Sequence, residues 1–403
     1  MTQPVSAFAP SSAEGLNALT PSADPAKLQS VTELLQDAVS DGVFPGAVLI
    51  VASFGKPLYV RAVGVKSSLL EKGHPSAMTH ETVFDVASLT SAVVTTTLVM
   101  QFAERRLVRL EDRVCRYIQP FGVLGKSPIT VEQLLNHRSG LPHWIPFFEE
   151  LVRENAGSRV GILATRGARD FVFNALNRLE IKSAPGGAQV FSDLGFMLLG
   201  RLVETLSGLT LDRAAYKGIF QPLGMKSSSF IDLSLIKRRG IHPVTDMIAP
   251  TEQCPWREHL LWGEVHDDNA WAMGGIAGHS GLFTNAQDLT IFAADLLRSY
   301  HGQRGKLVSP DCVRHFWENG IKEPSESWHL GWDSPGDENS MLSSGLSKQA
   351  VGVSGFTGCS MWLEPQRGIS IVLMSNRVHP SSSNKKIRNF RPLIHKEILA
   401  SLD

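Results

Sequence analysis

The 403-residue sequence predicts an α/β fold in which one sheet is built from both ends of the chain. Near the N-terminus, two runs rich in β-branched residues, 47–52 and 58–63, are separated by turn residues, which is the pattern of a β-hairpin. Near the C-terminus, 359–364 and 368–375 repeat that pattern. Between them, residues 88–225 mostly space their apolar side chains like helices, so a helical segment is inserted between the two halves of the sheet.

The helices are predicted from the same spacing of apolar residues. The first covers 27–39 and ends before Gly42 and Pro45. Further helical patterns cover 88–104, 131–136 behind a Thr130 cap, 168–177, 196–206 and a closing helix at about 392–402.

Two boundaries follow from these elements. Residues 1–24 are rich in Ala, Ser, Thr and Pro with little periodicity, and are expected to form a flexible leader. Residues 25–403 are expected to form one domain, with an α/β part at about 25–85 and 275–403 and a mainly helical insert at about 86–274. A cleft between two such parts is where a ligand site is expected.

Composition excludes several classes of protein. With 39 Lys and Arg against 39 Asp and Glu, the chain has no net charge, so it is not expected to bind nucleic acid. The basic run 385–391 is therefore expected to be a solvated surface. No run reaches the roughly 18 apolar residues of a membrane helix, so no membrane span is expected. The oligomeric state stays open.

The four cysteines are scattered without the spacing of metal ligands. They are interpreted as reduced thiols. Residues 1–10 have neither a basic nor an apolar stretch typical of a secretion signal, so cytoplasmic residence is expected. No cofactor and no metal are expected.

Ser88 lies between the short apolar run 84–87 and a helical pattern. Taken alone, a serine there is more often a helix N-cap than a nucleophile. The surrounding motifs favour the second interpretation. In order along the chain, the landmarks are 84–90 (FDVASLT), 134–142 (LLNHRSGLP), 221–225 (QPLGM), 263–270 (GEVHDDNA), 274–283 (GGIAGHSGLF) and 376–380 (NRVHP).

With these landmarks, the chain resembles the serine β-lactamase and penicillin-binding-protein superfamily, in particular its class C-related esterase and peptidase branch. The resemblance extends from about residue 28 to the C-terminus. It implies a β-lactamase-like fold, an antiparallel sheet flanked by helices with a helical subdomain. It also implies an ancestral serine hydrolase activity, in which esters, β-lactams or D-alanyl peptides are cleaved through an acyl intermediate on Ser88.

The three catalytic motifs of that family are altered in this sequence. The first motif, Ser-x-x-Lys, is SLTS at 88–91, without the lysine that helps to deprotonate the serine. The second, Tyr-Ser-Asp in this branch, is FSD at 191–193, without the phenol. The third, Lys-Thr-Gly or His-Thr-Gly, is VSG at 353–355, without the cation or imidazole.

The resemblance therefore implies that Ser91, Phe191 and Val353 occupy the three helper positions. Each replacement removes a proton carrier or a positive charge, and a serine without a base is a poor nucleophile near neutral pH. General acid–base assistance is worth about 10²–10⁴-fold per group, so the loss of all three groups is expected to cripple acyl transfer.

Other parts of the family's site are expected to persist. An oxyanion hole is expected from the backbone N–H groups of Ser88 and Phe356, because side-chain changes elsewhere need not abolish it. Asp193 is retained from the second motif. Ser354, Gly355 and His279 are expected to contact a ligand.

Three interpretations stay open. The first is a natural pseudoenzyme, whose cleft binds a carbonyl-bearing small molecule or a cell-wall-type peptide, and the sequence favours it. The second is an active enzyme: a serine esterase in which His279 or Asp193, with Ser192 or Ser354, replaces the base, or a non-hydrolytic biosynthetic catalyst. The third is deliberate inactivation. His279 matches the family's own Gly-His-x-Gly pattern, so it is interpreted as a loop-ordering residue.

Other candidate motifs are weaker. The glycines of 274–281 lack a Gly-Lys-Ser/Thr ending, so nucleotide binding is not expected. His266-Asp267-Asp268 and His137 are interpreted as loop-stabilising, because adjacent residues rarely converge on one metal ion. Some of the tryptophans, which cluster in the insert and the late loops, are expected at the cleft mouth.

Overall fold

The computed structural model describes residues 25–69, 77–157, 161–241, 243–318, 327–335 and 345–402. The expected leader, 1–24, lies outside the described residues. The strands are β1 Gly46–Ser53, β2 Lys56–Gly64, β3 Phe84–Asp85, β4 Ser229–Phe230, β5 Gln253–Cys254, β6 His259–Leu260, β7 Leu282–Thr284, β8 Trp328–His329, β9 Trp332–Asp333, β10 Val351–Ser354, β11 Ser360–Glu364 and β12 Ile369–Ser375.

The α-helices are α1 Pro25–Ser40, α2 Thr97–Glu104, α3 Val131–Leu135, α4 Phe147–Gly157, α5 Arg166–Asn177, α6 Asp193–Ser207, α7 Leu211–Ala215, α8 Gln221–Leu223, α9 Leu233–Arg239, α10 Asp268–Ala272, α11 Ala286–Tyr300, α12 Pro310–Glu318 and α13 Ile387–Ala400. Two π-helical segments, Ser91–Thr96 and Tyr216–Phe220, lead into α2 and α8.

The main sheet has seven strands in the order β2-β1-β12-β11-β10-β9-β8, and all its pairs are antiparallel. Strand β1 comes from the N-terminal half and pairs along its length with β12 from the C-terminal half, for example Leu49 with Leu373. The prediction of one sheet built from both ends of the chain is therefore confirmed.

Both faces of the sheet are covered, which explains why β1 is apolar at nearly every position. Ala47, Leu49 and Val51 point to the face that α1 and α13 cover. Val48, Ile50 and Ala52 point to the opposite face, where α11 contacts β1 and β12. Side chains alternate between the faces of a strand, so a strand buried on both sides appears as a continuous apolar run.

The helical elements pack beside this sheet around α6. Thr130 caps α3 as predicted, with a complete capping box to Gln133. Helix α6 contacts α3, α7 and the π-helical turn that follows Ser88. It ends at Gly208, whose left-handed backbone (φ +67°) is typical of a helix C-terminus. The division of the chain into an α/β part and a helical insert stays a prediction.

The closing helix differs from the prediction. It begins at Ile387 and not near Pro392, which lies inside the helix. Ile387, Phe390 and Ile394 are buried against the sheet. Burial of these side chains outweighs the lost hydrogen bond of a proline within the helix, which costs about 3 kcal/mol. The expectation that 385–391 is a solvated surface is accordingly wrong for Ile387, Phe390 and Arg391, which are buried.

No single helix among the described residues is both long and apolar enough to cross a membrane. One pair of helical segments, α6 and Leu211–Leu223, has the required length and composition when the two are taken together, but the pair is bent by 72°.

Candidate functional site

A cavity of about 520 Å³ lies where the turn at Ser88, the segment before α6 and the loop after β10 meet. Its volume is within the range of small-molecule sites. Five of the nine predicted site residues line it: Ser88, Phe191, Asp193, His279 and Phe356. Its lining consists of Ala87, Ser88, His143, Trp144, Phe191, Asp193, Glu252, Cys254, Pro255, Trp256, Leu261, His266, Asp267, Asp268, His279, Ser280, Phe356 and Ser382.

Ser88 lies on a strained turn that a buried carboxylate braces. Ala87 has a left-handed backbone (φ +48°), which is uncommon for a residue other than glycine. Its N–H donates to Oδ1 of Asp85 at 2.9 Å, while Oδ2 of Asp85 accepts from the N–H of His266 at 2.7 Å. Burial raises the pKa of Asp85 in spite of these two bonds. The turn places Ser88 just before the helical segment, with its side chain partly exposed to the cavity.

The loop after β10 comes close to this turn because residue 355 is a glycine. A Cβ at Gly355 would lie 2.4 Å from the carbonyl oxygen of Val86, two residues before Ser88. The N–H of Ser88 and the N–H of Phe356 both lack an acceptor among the described residues. Both unpaired donors lie on segments in close contact, which is compatible with the predicted oxyanion hole, and that role stays a prediction.

The segment before α6 is held by the loop that precedes α4. The N–H of Ser192 donates to Nδ1 of His137 at 2.9 Å, and the hydroxyl of Ser192 donates to the carbonyl oxygen of Pro142 at 2.6 Å. Nδ1 of His143 donates to the carbonyl oxygen of Phe191 at 2.8 Å. These bonds order the backbone next to Asp193. They also give His137 the structural role expected from the sequence.

Phe191 keeps the ring of the family's tyrosine position but not its hydroxyl. Its centroid lies 4.6 Å from His137, 5.4 Å from His143 and 5.2 Å from Trp328. The ring therefore fills an aromatic cluster at the edge of the cavity, where it can pack against a ligand but cannot carry a proton.

Asp193 is the first residue of α6 and faces the cavity. Its carboxyl group has no hydrogen bond or ion pair with another described residue. Burial raises the pKa of Asp193 to about 6, and the nearby charge of Asp267 acts in the same direction, while His279 and His143 oppose the shift.

His279 forms an ion pair with Asp267, with Nε2 and Oδ1 2.9 Å apart. Burial disfavours the charged imidazole, but the attraction of Asp267 and its hydrogen bond outweigh burial and raise the pKa of His279. The same pairing lowers the pKa of Asp267 against the effect of burial. The pairing with Asp267 thus favours the imidazolium form of His279, and that form cannot accept a proton from Ser88. Asp267 also caps α10 through the N–H of Ala270 at 2.7 Å.

The rest of the cavity lining includes the paired side chains of Glu252, His266 and Asp268 and the rings of Trp144 and Trp256. Nε2 of His266 lies 2.8 Å from Oε2 of Glu252. Arg257, which is buried behind this part of the lining, reaches Asp268 at 2.5 Å. These pairs agree with the loop-stabilising role predicted for residues 266–268. All three residues of this segment also line the cavity. Trp144 and Trp256 are each 38% exposed and form the apolar part of this lining, as expected of tryptophans at the cleft mouth.

Four residues that the sequence singled out are not among those that line the cavity. Ser91 is 6% exposed and begins the π-helical segment. Val353 is 1% exposed and packs in the core, opposite Met361 in the sheet. Ser354 has a buried hydroxyl without a partner among the described residues. Gly355 acts through its close approach to the Ser88 turn.

Several contributors were missed because no local pattern marks them. Glu252 pairs with His266 and also accepts from the N–H of Ser382 at 2.8 Å, so its role depends on residues far away in the chain. Arg391 donates to the carbonyl oxygens of Gly355 and Cys359 at 3.2 and 3.0 Å. Among the described residues, no group of three or more His, Cys, Asp or Glu side chains is arranged to hold a metal ion.

Comparison with known proteins places this geometry in a family. Residues 31–394 match the model of the Beta-lactamase family. The chain is 29% identical over 387 residues to the N-acetylmuramyl-L-alanine amidase of Bacillus subtilis strain 168, an alignment that covers 90% of this chain and 84% of that protein.

Solved structures share the fold. EstCE1, a hydrolase with promiscuous acyltransferase activity, aligns with a TM-score of 0.68 at 18% identity over 91% of this chain and 98% of its own. The octameric penicillin-binding protein homologue from Pyrococcus abyssi aligns with a TM-score of 0.66 at 19% identity over 90% and 76%. The expected β-lactamase-like fold is confirmed, and the family match covers most of the sequence. The chain belongs to the Beta-lactamase family.

Proposed function

We propose that this chain is a family member whose acyl-transfer machinery is impaired and whose cleft binds a carbonyl-bearing small molecule or a cell-wall-type peptide. The observation that carries the proposal is the state of Ser88. No hydrogen bond among the described residues involves its hydroxyl, and the imidazole candidate from the sequence, His279, pairs with Asp267, which raises the pKa of His279 and favours its protonated form. A hydroxyl without a base reacts slowly with an acyl carbon.

The binding half of the site supports the second part of the proposal. The N–H groups of Ser88 and Phe356 have no acceptor among the described residues, and both residues line the cavity. A ligand carbonyl oxygen supplies the acceptor that both lack. The relatives named an amidase and a hydrolase act on carbonyl compounds, which favours the same class of ligand here.

Turnover assays test this proposal. Wild-type protein and Ser88→Ala are incubated with p-nitrophenyl acetate and with nitrocefin. The proposal expects the two proteins to be indistinguishable and near the uncatalysed rate. Turnover by the wild type that Ser88→Ala abolishes, at rates typical of serine hydrolases, would overturn it.

A second candidate is a slow serine esterase that uses Asp193 as its base. The raised pKa of Asp193, about 6, favours this candidate because a carboxylate with such a pKa is a better general base than an ordinary one. It predicts weak esterase activity that rises with pH through about 6 and is lost in both Ser88→Ala and Asp193→Asn.

Residence in the cytoplasm stays a prediction. The four cysteines are all unpaired, which is consistent with a reducing compartment.

A further inference from the structure

Among the described residues, Asp193 is the one carboxyl group lining the cavity that has no hydrogen bond or ion pair. Asp267 pairs directly with His279 at 2.9 Å. His279 and a second imidazole, His143, act on Asp193 only through their charges. A carboxylate in a partly buried site is unfavourable without a paired counter-charge.

The remaining carboxylates of the cavity already have partners. Glu252 is paired with His266 at 2.8 Å, and Asp268 is paired with Arg257 at 2.5 Å. The negative charge without a partner is therefore that of Asp193, and the other carboxylates of the cavity do not contribute to it.

The described residues that line the cavity include four carboxyl groups and three imidazoles but neither a lysine nor an arginine. Of the imidazoles, His266 and His279 already pair with Glu252 and Asp267, and His143 donates to the carbonyl oxygen of Phe191. The two positions where the family motifs carry a cation or an imidazole hold Ser91 and Val353. A cationic group of the ligand can then supply the partner that Asp193 lacks.

We propose that the ligand of this cleft carries an ammonium group as well as a carbonyl, and that the ammonium pairs with Asp193. This inference rests on the proposed function, because the carbonyl oxygen is placed at the N–H groups of Ser88 and Phe356. Trp144 and Trp256 cover the apolar part of the ligand. Ser280 lines the cavity, is 3% exposed, and has a hydroxyl without a partner among the described residues, which provides one further polar contact.

Three benzamides whose para substituent is cationic, neutral or anionic test the proposal: para-(aminomethyl)benzamide, para-toluamide and terephthalamate. Their binding is measured by calorimetry at about pH 7.5, where the benzylic amine is protonated and the carboxylate ionised. The expected order is ammonium, then neutral, then carboxylate, with the ammonium compound about tenfold tighter than the neutral one, which corresponds to about 1.4 kcal/mol.

Asp193→Asn is the matched variant, because the amide keeps the shape and removes the charge. It is expected to abolish the preference for the ammonium compound over para-toluamide. Asp311→Asn, at an exposed carboxylate (98%) outside the cavity, is the control and is expected to bind like the wild type.

Four outcomes would each overturn the proposal. In the wild type, these are equal affinities for the three compounds, tighter binding of terephthalamate, and no binding of the ammonium compound at millimolar concentration. The fourth is an ammonium preference that survives in Asp193→Asn. The affinities of the wild type for the three compounds test the proposal even if Asp193→Asn does not fold. Failure of the proposed function is a separate result, because it is measured as turnover of nitrocefin or p-nitrophenyl acetate and not as a charge preference.

Discussion

Arg391 donates a 3.2 Å hydrogen bond from Nη2 to the carbonyl oxygen of Gly355, and so holds the peptide group whose N–H belongs to Phe356. Arg391 is 8% exposed and forms no ion pair with a described carboxylate, and burial lowers its pKa to about 10. A charged donor on the carbonyl polarises the peptide and strengthens its N–H as a donor on the other side. The closing helix thus supports the loop whose N–H at Phe356 is proposed to bind a carbonyl oxygen.

Removal of this support is expected to destabilise the fold. Arg391→Met keeps most of the packing of the aliphatic stem but leaves the carbonyl oxygens of Gly355 and Cys359 without this donor. We expect a loss of about 2 kcal/mol in the free energy of unfolding, measured by urea denaturation. Arg388→Met, at an exposed position of the same helix, should change stability by less than about 0.5 kcal/mol. Equal stabilities of the two variants would contradict this role.

Gly355→Ala tests the close approach of the loop after β10 to the Ser88 turn. The new Cβ would meet the Val86 carbonyl oxygen at 2.4 Å, so one backbone segment has to move. We expect a loss of about 1–3 kcal/mol in the free energy of unfolding, together with weaker binding of para-toluamide.

Gly167→Ala is the matched control for that substitution. Gly167 lies near the start of α5, and a Cβ added there would lie 3.5 Å or more from its nearest neighbours, which is ordinary contact, so alanine should leave stability unchanged or slightly greater. If Gly355→Ala behaves like Gly167→Ala, the contact with Val86 does not constrain the site.

The charge of His279 is open to direct measurement. We expect an NMR titration to give a pKa for His279 above the ordinary value near 6.5, and Asp267→Asn to lower it. Asp268→Asn, which leaves the pair intact, is the control. Because the folded-state pKa of His279 is raised and that of Asp267 is lowered, the pair's contribution to stability is complete between the unfolded-state values of about 4 and about 6.5. It is lost as the pH rises through the folded-state pKa of His279 or falls through that of Asp267. A neutral His279 at pH 6.5 in the wild type would restore it as a candidate base.

The binding of a cation should depend on pH through Asp193. Benzyltrimethylammonium does not titrate, so its affinity reports the protein alone. We expect its affinity to fall as the pH drops through about 6, because Asp193 becomes protonated. His279, Asp267 and His143 face the same carboxyl group. Asp193→Asn keeps these three groups and removes the charge of Asp193, so the pH dependence that remains in this variant is due to them. If the affinity of the variant falls through about pH 6 as it does in the wild type, the pH dependence does not come from Asp193.

The sequence predicted the sheet well because its signal is local. The apolar runs of β1 and β12 are short, continuous and bounded by turn residues, and the structure pairs them directly. The closing helix begins five residues before its predicted start near Pro392, because burial and not a local pattern holds its first turn. The burial that carries the helix past Pro392 comes from the sheet, which is remote in sequence.

The site was only partly predictable for the same reason. Ser88, Asp193 and Phe356 were found through motif order, and the structure brings all three to one cavity. Arg391 was placed in a solvated basic run because a charge pattern does not show which arginine faces the core. Residues 266–268 were correctly interpreted as a loop, but their position on the cavity wall depends on contacts with Glu252 and Arg257.

The central claim is that nothing activates Ser88, and intact-mass spectrometry after incubation with a fluorophosphonate tests it most directly. We expect no adduct on the wild type and an adduct on the variant that combines Ser91→Lys, Phe191→Tyr and Val353→His, because that variant restores the three side chains of the family motifs. Residues 91 and 353 are buried, so the fold of this variant is checked first by circular dichroism. A stoichiometric adduct on the wild type that is absent from Ser88→Ala would contradict the account and show that another group serves as the base.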